Sequence, residues 1–319
     1  MSFEFSHGDL GRPVRVVSLC FPGGSRTIEE IGRVMDLEGA RGADVISLPE
    51  TWRGQDEHTM EDLAGPTVQA LAAMAKKHRT YIVAPIDRID GARRLNTAVL
   101  IDRAGEVAGC YDKVFPYWSE YDHAHPVQPG ADALVFAADF GQLGIAICFD
   151  ANFPEVWQRL ADQDAELVIW SSAYSAGTSL QAHAINHHYY VVSTTQTGDC
   201  QAYDITGRLL LDCCRAPVNA VRLCLDLDRG IYHQNFNIGP RDRLLRERGD
   251  DIAQELWLER EQWFVLKAGR PGVSARELAR QYGLEELRAY IQRSRREIDH
   301  MRGRTFSADV AARRKETIP

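Results

Sequence analysis

The sequence lacks several signatures that would decide its class at once. It has no Cys-x-x-Cys pair; its seven cysteines (20, 110, 148, 200, 213, 214 and 224) are odd in number and scattered. Neither a zinc ribbon nor a disulfide framework is indicated, and a reducing, cytoplasmic setting is expected. No apolar run approaches the roughly 18 residues of a membrane span. The polar first stretch, with Glu4 and Asp9, does not read as a signal peptide. A basic excess is also missing: the net charge of −8 gives no general support for nucleic-acid or acidic-membrane binding. His123, His125, His183, His187 and His188 show no HExxH-like spacing with a carboxylate partner, so no metal or other cofactor is expected.

What remains is ordinary globular composition, 45% hydrophobic and 26% charged over 319 residues, enough for one large or two modest domains. Apolar runs at 14–20, 44–48 and 81–85 read as strands, with helical spacing through Ile28, Ile31, Val34 and Leu37 and again from Pro66. Segments 96–102 and 106–112 form a hairpin around Ala104-Gly105. Residues 113–133 are a long loop crowded with aromatic and polar groups, a length usually reserved for function. Strands at 134–140 and 142–148, a helix from Pro154, a strand at 167–170, a helix over 180–188 and strands from 190 to 227 follow. Two halves of similar order result, which points to a layered α/β fold with a pseudo-repeat of topology.

In such folds sites gather at the carboxyl ends of strands. Three chemistry-bearing side chains fall there. Cys148 lies on the turn between an apolar strand and a helix, where converging backbone N–H groups can lower a thiol's pKa. Glu50 follows a strand in Leu48-Pro49-Glu50, and a partly desolvated carboxylate suits proton transfer. Lys113 follows another strand and offers fixed positive charge to a developing oxyanion. Each has a plainer reading when taken alone: an apolar core cysteine, a loop carboxylate, a snorkelling surface lysine. Together they form an acyl-transfer constellation, although periodicity does not show that they meet.

LPET around Glu50, DKVFP around Lys113 and GIAICFDANFPE around Cys148 resemble, in order and spacing, the three motifs of the nitrilase superfamily of carbon–nitrogen hydrolases. The similarity runs from about Val14 to Asp228. It implies an α-β-β-α sandwich that pairs into four layers, commonly as a homodimer or higher homo-oligomer. It implies that Cys148 attacks a small amide, carbamoyl or nitrile carbon to give a thioester, with Glu50 as acid/base. Lys113 and the backbone N–H of Phe149 would hold the oxyanion, and Glu120 would position substrate. Asp112, Phe115 and Asn152 depart from the family's usual residues and bear on substrate choice. CFDANFPE is closer to the amidase and N-carbamoyl hydrolase branches than to true nitrilases. Tyr117, Phe149, Trp170 and Tyr174 are the expected aromatic lining of the substrate pocket.

The hydrolase domain is expected over 1–253, followed by a helical extension over 254–319. There, Arg270-Pro271-Gly272 separates helices at 256–268 and 274–301. Residues 274–296 have helix-turn-helix character, with Arg293, Arg295 and Arg296 clustered on the second helix. A nucleic-acid-binding or regulatory role through residues 270–300 is the alternative from another class. Packing on the body or a partner subunit is the plainer account of this tail.

Overall fold

The computed structural model describes residues 4–23, 25–56, 58–122, 124–213 and 219–303. The chain divides into two compact units, Met1–Leu227 and Asp228–Pro319.

The first unit opens with β1 (Phe5–Ser6), β2 (Pro13–Cys20), α1 (Ile28–Gly39), β3 (Val45–Ser47), α2 (Pro66–His78), β4 (Tyr81–Asp90), β5 (Arg93–Ile101) and β6 (Val107–Asp112). Thr27 and Glu30 close a capping box at the start of α1, and Pro66 occupies the first turn of α2. Both helices lay apolar faces on the first sheet: Ile31, Met35, Val68, Leu71 and Ala75 share one core with Val17, Ile46, Ile82 and Val99. Burying such side chains contributes about 1.5–3 kcal/mol each.

A short α3 (Trp118–Tyr121) interrupts the long loop. It is followed by β7 (Val135–Ala138), β8 (Gly141–Ile147), α4 (Pro154–Asp162), β9 (Leu167–Ser172), α5 (Thr178–His187), β10 (Tyr190–Thr195), β11 (Cys200–Tyr203), β12 (Leu209–Cys213) and β13 (Asn219–Asp226). The first sheet has seven strands in the order β1-β13-β2-β3-β4-β5-β6, the second six, β12-β11-β10-β9-β8-β7. The sheets face each other across buried hydroxyls: Ser18 Oγ lies 2.9 Å, and Ser47 Oγ 2.5 Å, from Thr194 Oγ1. Helices cover the outer faces, giving the expected α-β-β-α sandwich. Its parallel strands β2, β3 and β4, and β8, β9 and β10, all run in near-continuous apolar burial.

The second unit departs from the sequence reading in two ways. Its boundary falls at Leu227/Asp228, ahead of the expected 253. It is also not all-helical. After β14 (Gly230–His233) and α6 (Gln234–Arg248), the residues read as a helix over 256–268 form the antiparallel pair β15 (Ile252–Leu258) and β16 (Trp263–Ala268), with β14 on the other edge of β16. The physical reason is strand-forming composition: the aromatic and β-branched run Trp263–Leu266 is too short for a helix and is buried at Phe264, Val265 and Leu266, and Glu259–Gln262 supplies a charged turn. Beyond the Pro271-Gly272 break come α7 (Ala275–Gln281), capped by Ser274, and α8 (Leu287–Met301). Gly283, at φ +84°, turns the chain between them. No helix among the described residues is long and apolar enough to cross a membrane.

Candidate active site

Glu50, Lys113 and Cys148 each stand just beyond a strand, after β3, β6 and β8 respectively. All three are buried, with 2%, 1% and 8% of their surface exposed. The fold brings two of them into direct contact: Lys113 Nζ donates to Glu50 Oε1 at 2.7 Å and to Glu120 Oε2 at 2.6 Å. Asn96, on β5, donates its amide to Glu50 Oε1 and to Glu120 Oε1, both at 2.8 Å. Gln55 adds a 3.0 Å bond to Glu120 Oε1, and the Ala173 N–H donates to Glu50 Oε2 at 3.0 Å. One ammonium thus lies between two carboxylates, each of whose oxygens accepts at least one hydrogen bond, the arrangement that makes buried charge tolerable.

The electrostatics follow from that geometry. Burial alone would lower the pKa of Lys113, but the negative charge of Glu50 and Glu120 outweighs it, so the ammonium stays charged. Burial would raise Glu120; Lys113, with the amides of Asn96 and Gln55, pulls it below the ordinary carboxylate range. The Cys148 thiol goes the other way. Burial pushes it well above the ordinary thiol range and the charge of Glu50 adds to this, while Lys113 only partly offsets them. The expectation of a lowered thiol pKa is therefore reversed: desolvation beside a carboxylate defeats the nearby ammonium. At neutral pH Cys148 is therefore a thiol, beside Glu50 and Ser172.

Cys148 itself sits at φ +48° and opens a 3-10 turn over Cys148–Asn152. Thr51, next to Glu50, has φ +51°. Left-handed backbone at a non-glycine, and above all at a β-branched residue, is strained and persists only where its surroundings over-determine it. At Cys148 the restraint is visible: the Trp170 indole N–H donates to its carbonyl at 3.0 Å.

Against known proteins, residues 25–222 match the carbon-nitrogen hydrolase family. The chain belongs to that family. The deaminated glutathione amidase of Synechocystis sp. is 30% identical over 202 residues, 56% of this chain and 74% of that protein. The omega-amidase NIT2 of Danio rerio is 23% identical over 193 residues, covering 54% and 70%. Among solved structures, an amidase from Nesterenkonia sp. superposes with a TM-score of 0.58 at 21% identity, covering 70% of this chain and 95% of that one. Nit3 of Saccharomyces cerevisiae, of branch 10 of the nitrilase superfamily, gives 0.59 at 17%, covering 69% and 93%. The structural likenesses show the fold.

In this carbon–nitrogen hydrolase the remaining expected residues separate by surroundings. Tyr117 is 42% exposed and meets Phe149 edge-on at 5.1 Å; half-buried Phe149 in turn meets Phe153 at 5.2 Å. Phe153 stacks on Phe115 at 3.6 Å, so the departure at 115 builds an aromatic wall beside the Cys148 turn. Tyr174 has its phenol pushed up to about 12, by burial first and then by negative charge around Cys148 and Glu50. It is a neutral donor at ordinary pH. Trp170 differs from these: it has no exposed surface, so it lies beneath the Cys148 turn and not on a pocket wall. Asp112, the departure before the lysine, accepts from Thr97 Oγ1 at 2.6 Å and pairs with Arg88 at 3.2 Å.

Sequence reasoning missed Asn96, Gln55, Ser172 and Asp150. A usable signal existed for Asn96, a polar residue in the buried part of β5, between Leu95 and the apolar run Ala98–Ile101. His183 and His188 spend ring nitrogens on the carbonyls of Ala151 and Ile205, at 2.9 and 3.1 Å. Among the described residues no group of three or more His, Cys, Asp or Glu is placed to hold a metal ion. His123 and Cys214 lie outside the described residues.

Proposed function

We propose that this enzyme hydrolyses the C–N bond of a small amide or N-carbamoyl compound through a Cys148 thioester. The observation that supports it most is the buried ammonium of Lys113 held between Glu50 and Glu120, with the Cys148 thiol beside Glu50. Because the thiol is protonated at rest, attack and deprotonation belong to one step. Glu50 takes the proton as the Cys148 sulfur adds to the carbonyl carbon. Lys113 and the Phe149 N–H stabilise the oxyanion as it forms. Glu50 then delivers the proton to the departing ammonia or amine, and afterwards takes one from the water that cleaves the thioester. Glu120 holds Lys113 and faces the substrate. Tyr117, Phe149 and Tyr174 line the acyl site, and Trp170 fixes the nucleophile's backbone.

The amidase names of the relatives support amide over nitrile. A cytoplasmic homodimer is the setting that goes with this reading. Ammonia release from a panel of aliphatic amides, ureido acids, amino-acid amides and nitriles, with wild type beside Cys148→Ala, tests it. Release by wild type alone is the expected result; equal release by Cys148→Ala overturns the reading.

A further inference from the structure

We infer that Asp150 is a positioning residue that locks the lysine-bearing segment onto the nucleophile turn. This rests on the catalytic reading above and adds a residue that neither contacts the reacting atoms nor belongs to the Glu50–Lys113–Cys148 set.

Asp150 has no exposed surface, and its two carboxylate oxygens accept three hydrogen bonds from two different stretches of chain. Oδ2 receives the Tyr111 phenol at 2.7 Å and the Ile147 N–H at 3.0 Å; Oδ1 receives the Phe115 N–H at 2.9 Å. Tyr111 and Phe115 lie two residues on either side of Lys113, and Ile147 immediately precedes Cys148. One side chain therefore fixes the lysine's segment at two points and the cysteine's at one. Its own backbone is fixed as well: the Trp157 indole donates to the Asp150 carbonyl at 2.9 Å, and the Phe153 N–H at 3.1 Å. The strain at Cys148 needs such a restraint on its N-terminal side, as Trp170 supplies one at its carbonyl.

The chemistry requires the ionised form. A carboxylate accepts strongly from all three donors, whereas a neutral acid accepts more weakly and adds an O–H on a side already occupied by donors, which weakens all three bonds. Burial pushes Asp150 up to about 6, with the Tyr111 phenol, the Ile147 and Phe115 N–H groups and the Lys113 charge pulling the other way. The titratable groups around it are Tyr111 at the end of β6, Lys113 beyond it, Cys148 on its own turn, and His183 of α5, which bonds the neighbouring Ala151 carbonyl. Below about pH 6 the lock loosens and Lys113 and Cys148 lose their register.

The test reads Cys148 directly and needs no known substrate: the rate of iodoacetamide alkylation of Cys148, followed by mass spectrometry against pH. In wild type the logarithm of the rate steepens below about pH 6. Tyr111→Phe removes a donor that favours the charged carboxylate, so the break moves to higher pH. Asp150→Asn removes the break and slows alkylation near neutral pH about tenfold or more, since small misplacements of reacting groups cost up to about 10²-fold. The same break in wild type and Tyr111→Phe assigns it to another group and overturns the proposal, whatever becomes of Asp150→Asn. With the best amide, Asp150→Asn lowers kcat and leaves KM nearly unchanged; a change in KM alone counts against it. Failure of the catalytic reading looks different: Cys148→Ala then hydrolyses amides as wild type does, a result that alkylation of Cys148 cannot produce.

Discussion

The interior of the N-terminal unit and the surface of the C-terminal unit use the same chemical groups to opposite ends. In the first, Lys113, Glu50 and Glu120 are almost wholly withdrawn from solvent and meet at 2.6–2.7 Å. In the second, Arg293 meets Glu285 at 2.7 Å and Arg276 meets Glu286 at 2.8 Å, with roughly a third of each side chain still wet. The distances are alike; the surroundings are not. Water screens the second set, so each pair contributes little and can be rearranged cheaply. Desolvation ties the first set together, because no member can be removed without stranding another. Distance alone does not identify a site; burial of an interdependent set does.

Lys113→Met should break this comparison most severely. On the proposed mechanism it deletes an oxyanion donor, which costs about 10²–10³-fold in kcat. It also leaves two carboxylates facing each other without a cation, a loss of about 3–5 kcal/mol by analogy with other broken buried pairs. Urea unfolding beside an ammonia-release assay reads both. A variant as stable as wild type would mean that water already reaches the Glu50–Glu120 gap.

The pH dependence of stability sharpens the same contrast. Lys113 is raised, so its contribution is full below its ordinary value of 10.5 and is lost only at higher pH, leaving it constant through the neutral range. Glu120 is lowered, so its contribution is present above the ordinary 4.5 and is lost as pH falls from there. Asp150 has the opposite sign. It is raised to about 6 from 3.8, so it withdraws stability as pH climbs through that window. Glu120→Gln should therefore flatten the loss of stability on acidification below about pH 4.5, while leaving any slope between about 4 and 6. Urea midpoints at a series of pH values show whether it does.

Asn96→Ala comes next. Its amide is shared by both carboxylates, and removing a hydrogen bond to a charged group costs about 1.5–3 kcal/mol. Activity should fall less than for Lys113→Met, since the ammonium remains. Asn96→Asp, which places a third carboxylate in the nest, should be the more damaging of the two, and the order of the two melting temperatures decides it.

How legible these regions are follows from what periodicity can carry. The strand ends bearing Glu50, Lys113 and Cys148 can be read because an apolar run of strand length stops at each. The partnerships of Asn96 with Glu50 and of Asp150 with Tyr111 span 46 and 39 residues and leave no local trace. The sign of the Cys148 shift depends on the depth of burial beside Glu50, which the sequence does not record. In the C-terminal unit α6 is hidden by Gly239 and Pro240 inside it, residues that normally end a helix. The β15–β16 hairpin reads as helix because charged residues crowd its turn and its outer face, blurring a period of two into something irregular. Only past Ser274, where a side-chain cap starts α7, does local chemistry speak plainly again.

The smallest effect belongs to Arg293→Gln, and it tests the other half of the comparison. Arg293 donates to Glu285 Oε1 and Oε2 at 2.8 and 2.7 Å and lies over the Tyr290 ring at 5.5 Å. A double bond to a carboxylate together with a ring contact is as favourable as an exposed pair becomes, yet solvent screening limits it to about 0–1 kcal/mol. The substitution should leave amide hydrolysis unchanged and shift the urea midpoint only slightly, with the shift shrinking further in high salt. The same variant bears on the nucleic-acid alternative, since an arginine already committed to Glu285 must give up that pair to meet a phosphate. Salt-dependent DNA binding by wild type that weakens in Arg293→Gln would show that the exchange is cheap, as expected of a wet pair, and would give the C-terminal unit a role of its own. A loss of hydrolysis in this variant would instead show that the surface pair is not independent of the buried set, and the division drawn between the two regions would fail.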